Sequence, residues 1–361
     1  MLYVEFKALV RSSWEGDVSM VDNLKKFQSV NKRAYGNIFK LKRQLISKFK
    51  RVQRILELRN SVRLRNCELK LIQDIDEVLK HEQILWFQKS KMVWLANCDR
   101  NTWYFHRHTL IRCKHNKIDG LRIDGDEWCF ENELLKQNVV EYFKGLFSTD
   151  YTVDRAFPCR GRFPSLSTME KDSLCLVVSS EEVRSAMFGM APLKALGLDD
   201  FYAKFYQAQW DVVGPSIYSL VRRMLEGQPM DTWLNRNLLV LIPKVLGLDR
   251  IPQFRLINLC TVLYKIITKI VVNRLRLLLM KLTKKNQASF VISRNILDNI
   301  IITQEAVHSL KNFSGRKFGM TLDIDLEKAY DQIRWDFLED TLLEVGLLPL
   351  SVKVISNCVS L

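Results

Sequence analysis

The stretch that most constrains this chain is Phe318 to Leu338, FGMTLDIDLEKAYDQIRWDFL. Met320, Leu322 and Ile324 fall on one side of an extended backbone, and Thr321, Asp323 and Asp325 on the other, which is the period of a strand. The alternation stops after Asp325. Trp335, Leu338, Leu342 and Leu343 then recur at helical spacing. The reading is therefore strand, turn, helix, with Asp325 at the carboxyl end of the strand. A carboxylate there projects from a stiff edge. Metal-assisted phosphoryl transfer needs that geometry, because Mg2+ takes carboxylate oxygens while leaving room for phosphates and water. Taken alone, a strand-to-helix turn with solvated acids accounts for the same string.

Charge narrows the class of partner. The chain of 361 residues carries a net charge of +15, and 47% of it is hydrophobic. These values fit a globular protein with a polyanionic partner. Residues 22–93 hold eighteen Lys and Arg against seven Asp and Glu, a local excess of +11, and Glu57 is the single acid between Lys40 and Arg65. The same stretch lacks proline, and Leu41, Leu45, Phe49, Val52 and Leu56 recur at gaps of three and four, which predicts long helices. A face so one-sided suits contact with nucleic-acid phosphates without sequence reading. From Glu82 to Arg107, basic and aromatic residues interleave, with Lys89, Lys91 and Arg100 among Trp86, Trp94 and Trp103. Aromatics can stack on bases while cations hold phosphates, although Trp86 and Trp94 read more simply as core.

Further along, residues 115–133 read as a hairpin turning at Asp124-Gly125-Asp126, Glu133 to Phe147 as an amphipathic helix, and 148–166 as a linker. Ser179-Ser180-Glu181-Glu182 reads as a helix start. Leu238 to Ile242 predicts a strand, 261–282 a helix with Lys265, Lys269 and Arg274 off its apolar face, and Ile296 to Lys311 a helix leading to the central strand. The eight cysteines form no C-x-x-C pair and read as reduced thiols. Cys98, His106, His108, Cys113 and His115 are too tightly spaced for the common zinc patterns. No apolar run reaches the length of a membrane span, so no membrane is expected as a partner. No targeting signal is evident, which leaves cytoplasm or nucleus as the expectation.

Several of these strings, in this order, resemble the polymerase of non-LTR retrotransposons, the plant LINE type in particular, from about residue 30 to the end. D-L-E-K-A-Y-D (325–331) resembles the first palm motif of reverse transcriptases. The resemblance implies that Asp325 is the catalytic metal ligand and that Tyr330 is the steric gate against a ribose 2′-hydroxyl. WFQKSKMVWLANCDRNTWYFH resembles the signature ahead of the fingers, with Cys98 in place of a glycine. LLVLIPK and QFRLINL place Lys244 and Arg255 where the family reaches the incoming triphosphate or the template, with Leu256 in place of a proline. QASFVISRNILDN resembles a template-contacting motif. It keeps Gln287, Phe290, Arg294, Asp298 and Asn299, while Ile292 and Ser293 stand for Pro-Gly. KALGLDDF keeps Gly197 and Asp199 of K-A-P-G-P-D-G-F, but Leu196 and Leu198 replace prolines and Asp200 a glycine.

The resemblance implies an α+β, helix-rich protein: a basic helical extension (1–110), a hairpin, helix and linker (111–165), then the fingers and a partial palm of a right-hand polymerase (166–361). The parent reaction is RNA-templated DNA synthesis by two-metal nucleotidyl transfer. Its cofactor is Mg2+, and its partners are an RNA template, a DNA primer and deoxynucleoside triphosphates. Lys89, Lys91, Arg100 and Arg294 are the expected nucleic-acid contacts. The family's paired Asp-Asp motif does not follow Asp325, so the chain by itself is expected to be inactive in polymerisation. A non-catalytic nucleic-acid-binding remnant or a pseudogene product is the alternative.

Overall fold

The computed structural model describes residues 2–35, 38–59, 61–90, 102–123, 127–148, 163–245, 247–291, 293–312, 320, 322, 324 and 333–359. Among them helices dominate, and four short strands pair in two two-stranded sheets. Helix-rich α+β, as expected, describes the chain. It divides into two compact units, residues 1–132 with 241–257, and residues 133–240 with 258–361.

The first unit begins with α1 (Leu2–Ser13) and α2 (Met20–Tyr35), which enclose Val10, Leu24 and Phe27. The turn between them closes on buried Asn23, whose Nδ2 donates to the Glu15 and Val18 carbonyls at 2.7 and 3.2 Å while its Oδ1 accepts from Glu15 N. A fully buried amide persists because its hydrogen-bonding groups find partners here. Helices α3 (Ile38–Leu58) and α4 (Val62–Ser90) pack on each other. Lys42 pairs with Glu82 at 2.6 Å, and Gln53 bonds Glu68 nearer the connection, so the two run antiparallel. No residue of α3 is fully buried. Leu45, Phe49, Val52 and Leu56 are half-buried, while Lys40, Arg43, Lys48, Lys50, Arg51 and Arg54 are exposed. The helix is therefore a basic ridge laid on α4. Helix α5 (Thr102–Asn116) packs on α4, with His106 edge-on to Trp86 at 4.4 Å. Strands β1 (Leu121–Ile123) and β2 (Glu127–Cys129) form the expected hairpin, antiparallel, with Arg122 opposite Trp128.

In the second unit, α6 (Asn132–Phe147) is the amphipathic helix expected from Glu133 to Phe147. Most of the expected linker falls outside the described residues. Helix α7 (Thr168–Cys175) opens on a capping box, in which Ser167 Oγ accepts from Glu170 N and Glu170 Oε2 accepts from Ser167 N at 2.7 Å. Helix α8 (Ser180–Phe188) starts at N-cap Ser179, as the S-S-E-E string predicts. Helices α9 (Ala203–Ala208), α10 (Trp210–Leu225) and α11 (Val262–Leu282) complete the main core, where Met187, Val213, Ile217, Val221, Leu263, Ile266 and Ile270 are buried. A second cluster gathers Leu166, Leu278, Val345, Leu347 and Val352 with helices α13 (Trp335–Glu344) and α14 (Pro349–Val359).

Strands β3 (Leu238–Pro243) and β4 (Phe254–Leu259) make the second sheet, and α12 (Ile296–Lys311) matches its expected span. The strand expected up to Asp325 lies largely outside the described residues. Met320, Leu322 and Ile324, which are described, belong to no regular element and are 83%, 72% and 70% exposed.

Candidate nucleic-acid and nucleotide site

Lys244 directly follows β3, Arg255 is the second residue of β4, and both are exposed. The loop between the strands is tied down by Gln253, whose Oε1 accepts from the Asp249 and Arg250 amides at 3.0 and 3.1 Å. Asp249 in turn holds strand β1. Its carbonyl accepts from Arg122 N at 2.6 Å, and its carboxylate lies 3.3 Å from Arg122 Nε. Two exposed cations on paired strands can each take a phosphate, Arg through its fork and Lys as a point charge.

The loop 194–201 is fixed by close packing. A Cβ on buried Gly197 would stand 2.7 Å from the Cys260 carbonyl carbon and the Thr261 nitrogen, so the two backbones touch and only glycine fits. Asp199 is fully buried and accepts long bonds of 3.5 Å from Phe201 N and Tyr206 Oη. Burial pushes its carboxyl up to about 6, against the opposing pull of these bonds and of Lys265. Lys265 Nζ donates to Ala195 O and Lys269 Nζ to Gly189 O, so of two cations read as off-face charges one ties this loop to α11 and the other ties the end of α8 to it. Arg274 does the same at the next turns. It grips Glu182 through two bonds of 2.7 and 2.8 Å and also donates to the Leu174 and Leu176 carbonyls.

In the loop at 283–299, Arg294 donates to four carbonyls: Lys284 (2.5 Å), Gln287 (2.7 Å), Thr283 (3.2 Å) and Met280 (3.3 Å). Met280 lies in the last turn of α11, whose final carbonyls have no intrahelical partner, so the guanidinium caps that helix. Asn299 adds a bond to Asn286 O at 2.8 Å. The resulting turn carries Phe290 on its outside, 85% exposed and at φ 63°.

Of the other expected site residues, Asp325, Tyr330, Lys91 and Arg100 lie outside the described residues. Lys89 is on α4, but its side chain is not described. Of the tight His/Cys cluster, His106, His108, Cys113 and His115 lie on α5. Among the described residues, no three His, Cys, Asp or Glu side chains converge to hold a metal ion. No helix of the described residues is long and apolar enough to cross a membrane. Sequence reasoning did not single out Arg122, Trp128 and Phe130. The alternation around Asp124-Gly125-Asp126 could have shown that both aromatics share a face.

Residues 242–360, which include Arg255, the Arg294 loop and Asp325, match the family model for reverse transcriptase (RNA-dependent DNA polymerase). Over these residues the chain thus carries a reverse transcriptase domain of the non-LTR, LINE-type retrotransposon class. It is similar to the Transposon TX1 uncharacterized 149 kDa protein of Xenopus laevis, with 25% identity over 260 residues that cover 71% of this chain and 20% of that relative. The chain spans about a fifth of the length of the relative it matches.

Proposed function

We propose that this chain supplies the fingers and leading palm segment of a right-hand polymerase that copies RNA into DNA. The observation that carries the reading is the pair of exposed cations, Lys244 just after β3 and Arg255 on β4, both within the reverse transcriptase match. They hold the triphosphate of the incoming deoxynucleotide or the template backbone. Arg294 serves template binding by holding the turn that carries Phe290. Lys89, Lys91 and Arg100 contact template–primer phosphates. Reverse transcriptases use divalent metal ions. Asp325 is the Mg2+ ligand in this reading and Tyr330 the gate beside it. Bound Mg2+ would neutralise charge developing on the phosphates. The described residues alone make no such cage.

The exposed basic ridge of α3 favours a second reading, in which the chain binds nucleic acid without catalysis. One experiment addresses both. Binding of an RNA template annealed to a DNA primer is measured with and without deoxynucleotide, for the wild type, Lys244→Gln and Arg255→Gln, with primer extension beside Asp325→Ala. The polymerase reading expects a nucleotide-stabilised complex lost in both variants, and binding that weakens steeply with salt. Salt-sensitive binding that ignores the nucleotide and both substitutions leaves the second reading. Binding that ignores salt sinks both.

A further inference from the structure

The β1–β2 hairpin shows its aromatic residues to solvent. Its register pairs Leu121 with Cys129 and Arg122 with Trp128. Since side chains alternate, Gly120, Arg122, Trp128 and Phe130 share one face and Leu121 takes the other. Leu121 is 1% exposed and holds the hairpin to the core, whereas Trp128 is 49% and Phe130 67% exposed. A one-residue slip would invert this arrangement. Rings of this size ordinarily bury 150–250 Å² each, so two of them facing water on a pinned register call for a ligand.

The exposed face is built in layers. A Cβ at Gly120 would lie 2.6 Å from the Phe130 ring, so that ring rests on bare backbone. Trp128 lies parallel to Phe130, at 10° with centroids 5.9 Å apart, and the Arg122 guanidinium covers Trp128 at 5.3 Å. Both rings line a pocket of about 280 Å³ together with Lys117, Val245, Gly247 and Phe254. Lys244 sits between pocket residues Pro243 and Val245, and Arg255 directly follows Phe254. Lys117 lines the pocket and pairs with Asp119, while Lys244 and Arg255 adjoin lining residues along the chain, in the unit that also carries the basic α3 ridge.

We infer that the Trp128–Phe130 platform stacks an unpaired base of single-stranded nucleic acid, with Lys244 and Lys117 holding the flanking phosphates. The inference rests on the nucleic-acid reading above and assigns it a site outside the inherited motifs. Stacking tolerates any base because every base has a π-face, so the site would hold a strand without reading its sequence.

The test compares a single-stranded oligouridylate with an abasic phosphodiester strand of equal length. Their binding to the full chain is measured by fluorescence anisotropy for wild type, Trp128→Ala, Trp128→Phe and Gly120→Ala, with far-ultraviolet circular dichroism on each. Trp128→Ala and Gly120→Ala are expected to weaken oligouridylate binding about tenfold. Both should leave abasic-strand affinity and the salt slope unchanged, and Trp128→Phe should retain most of the affinity. Equal oligouridylate affinity in folded Trp128→Ala and wild type overturns the platform and leaves the nucleic-acid reading intact. A wild type that binds neither strand overturns both.

Discussion

Two loops of the second unit stand where the sequence resembles family motifs that carry glycine and proline, and this chain holds them by different means. The loop at 194–201 is held from inside: Gly197 lies against the backbone of 260–261, and buried Asp199 gathers Phe201 and Tyr206. The loop at 283–299 is held from outside by one half-buried guanidinium on four carbonyls. Yet both retain the turn their missing glycines would make. Asp200 stands at φ 57° and Ser293 at φ 62°, where the family has glycine. A backbone conformation can outlast the residue best suited to it when packing or a hydrogen-bonded clamp fixes the flanks. The lost prolines at 196 and 198 are compensated in the same way, by Lys265 on Ala195 O.

The sharpest test of that contrast is Gly197→Ala. Backbone atoms at 2.7 Å cannot swing aside as a side chain would, so overpacking there should cost roughly 3 kcal/mol or more in chemical denaturation. An effect below about 1 kcal/mol would mean that the inner loop is no tighter than the outer one.

The buried carboxylate gives the next effect. Its ordinary value is 3.8, and in the folded chain it stands at about 6. Between those pH values the folded state holds a proton that the unfolded state releases. Stability contributed by Asp199 is therefore full below about pH 4 and falls as pH rises through 6, by up to about 3 kcal/mol. Asp199→Asn should remove that slope and raise stability at pH 7. Glu170 runs the opposite way: the Ser167 amide and then Lys281 hold its carboxyl down at about 2, so its contribution is lost only on acidification. An unchanged pH profile in Asp199→Asn would break the assignment.

The smallest expected effect comes from restoring the glycines. Asp200→Gly and Ser293→Gly each relieve a left-handed conformation and should raise stability by about 0.5–1 kcal/mol, read as an upward shift in the denaturation midpoint. Destabilisation at either site would show that the present side chain does more than tolerate its turn.

Much of this architecture was legible. Ser179 and Glu182 announced α8, the three-four spacing from Leu41 to Leu56 announced α3, and Ile296 to Lys311 is α12 as read. Other features were written less plainly. Ser167-Thr-Met-Glu170 is a capping box in plain sequence, but it follows a stretch dominated by Pro158, Gly161 and Pro164 that reads as linker. Arg294 resembled any motif cation. Only three dimensions show its fork on the end of α11, since four carbonyls leave no mark on a sequence. For Trp128 and Phe130, alternation reveals that they share a face but not which face meets water. That choice was made by Leu121 and by the loop at 249.

The division of the chain also sets an order of events. Residues 241–257 belong with residues 1–132, and the whole of 133–240 intervenes. During synthesis, α1 to α5 can form early from local contacts, but Arg122 must wait for Asp249, and the pocket beside Trp128 for Val245 and Phe254. Closing so long an excursion is slow compared with helix formation, because its entropy is lost before the distant contact is gained. The nascent chain therefore carries its basic helices well before its aromatic platform gains a wall.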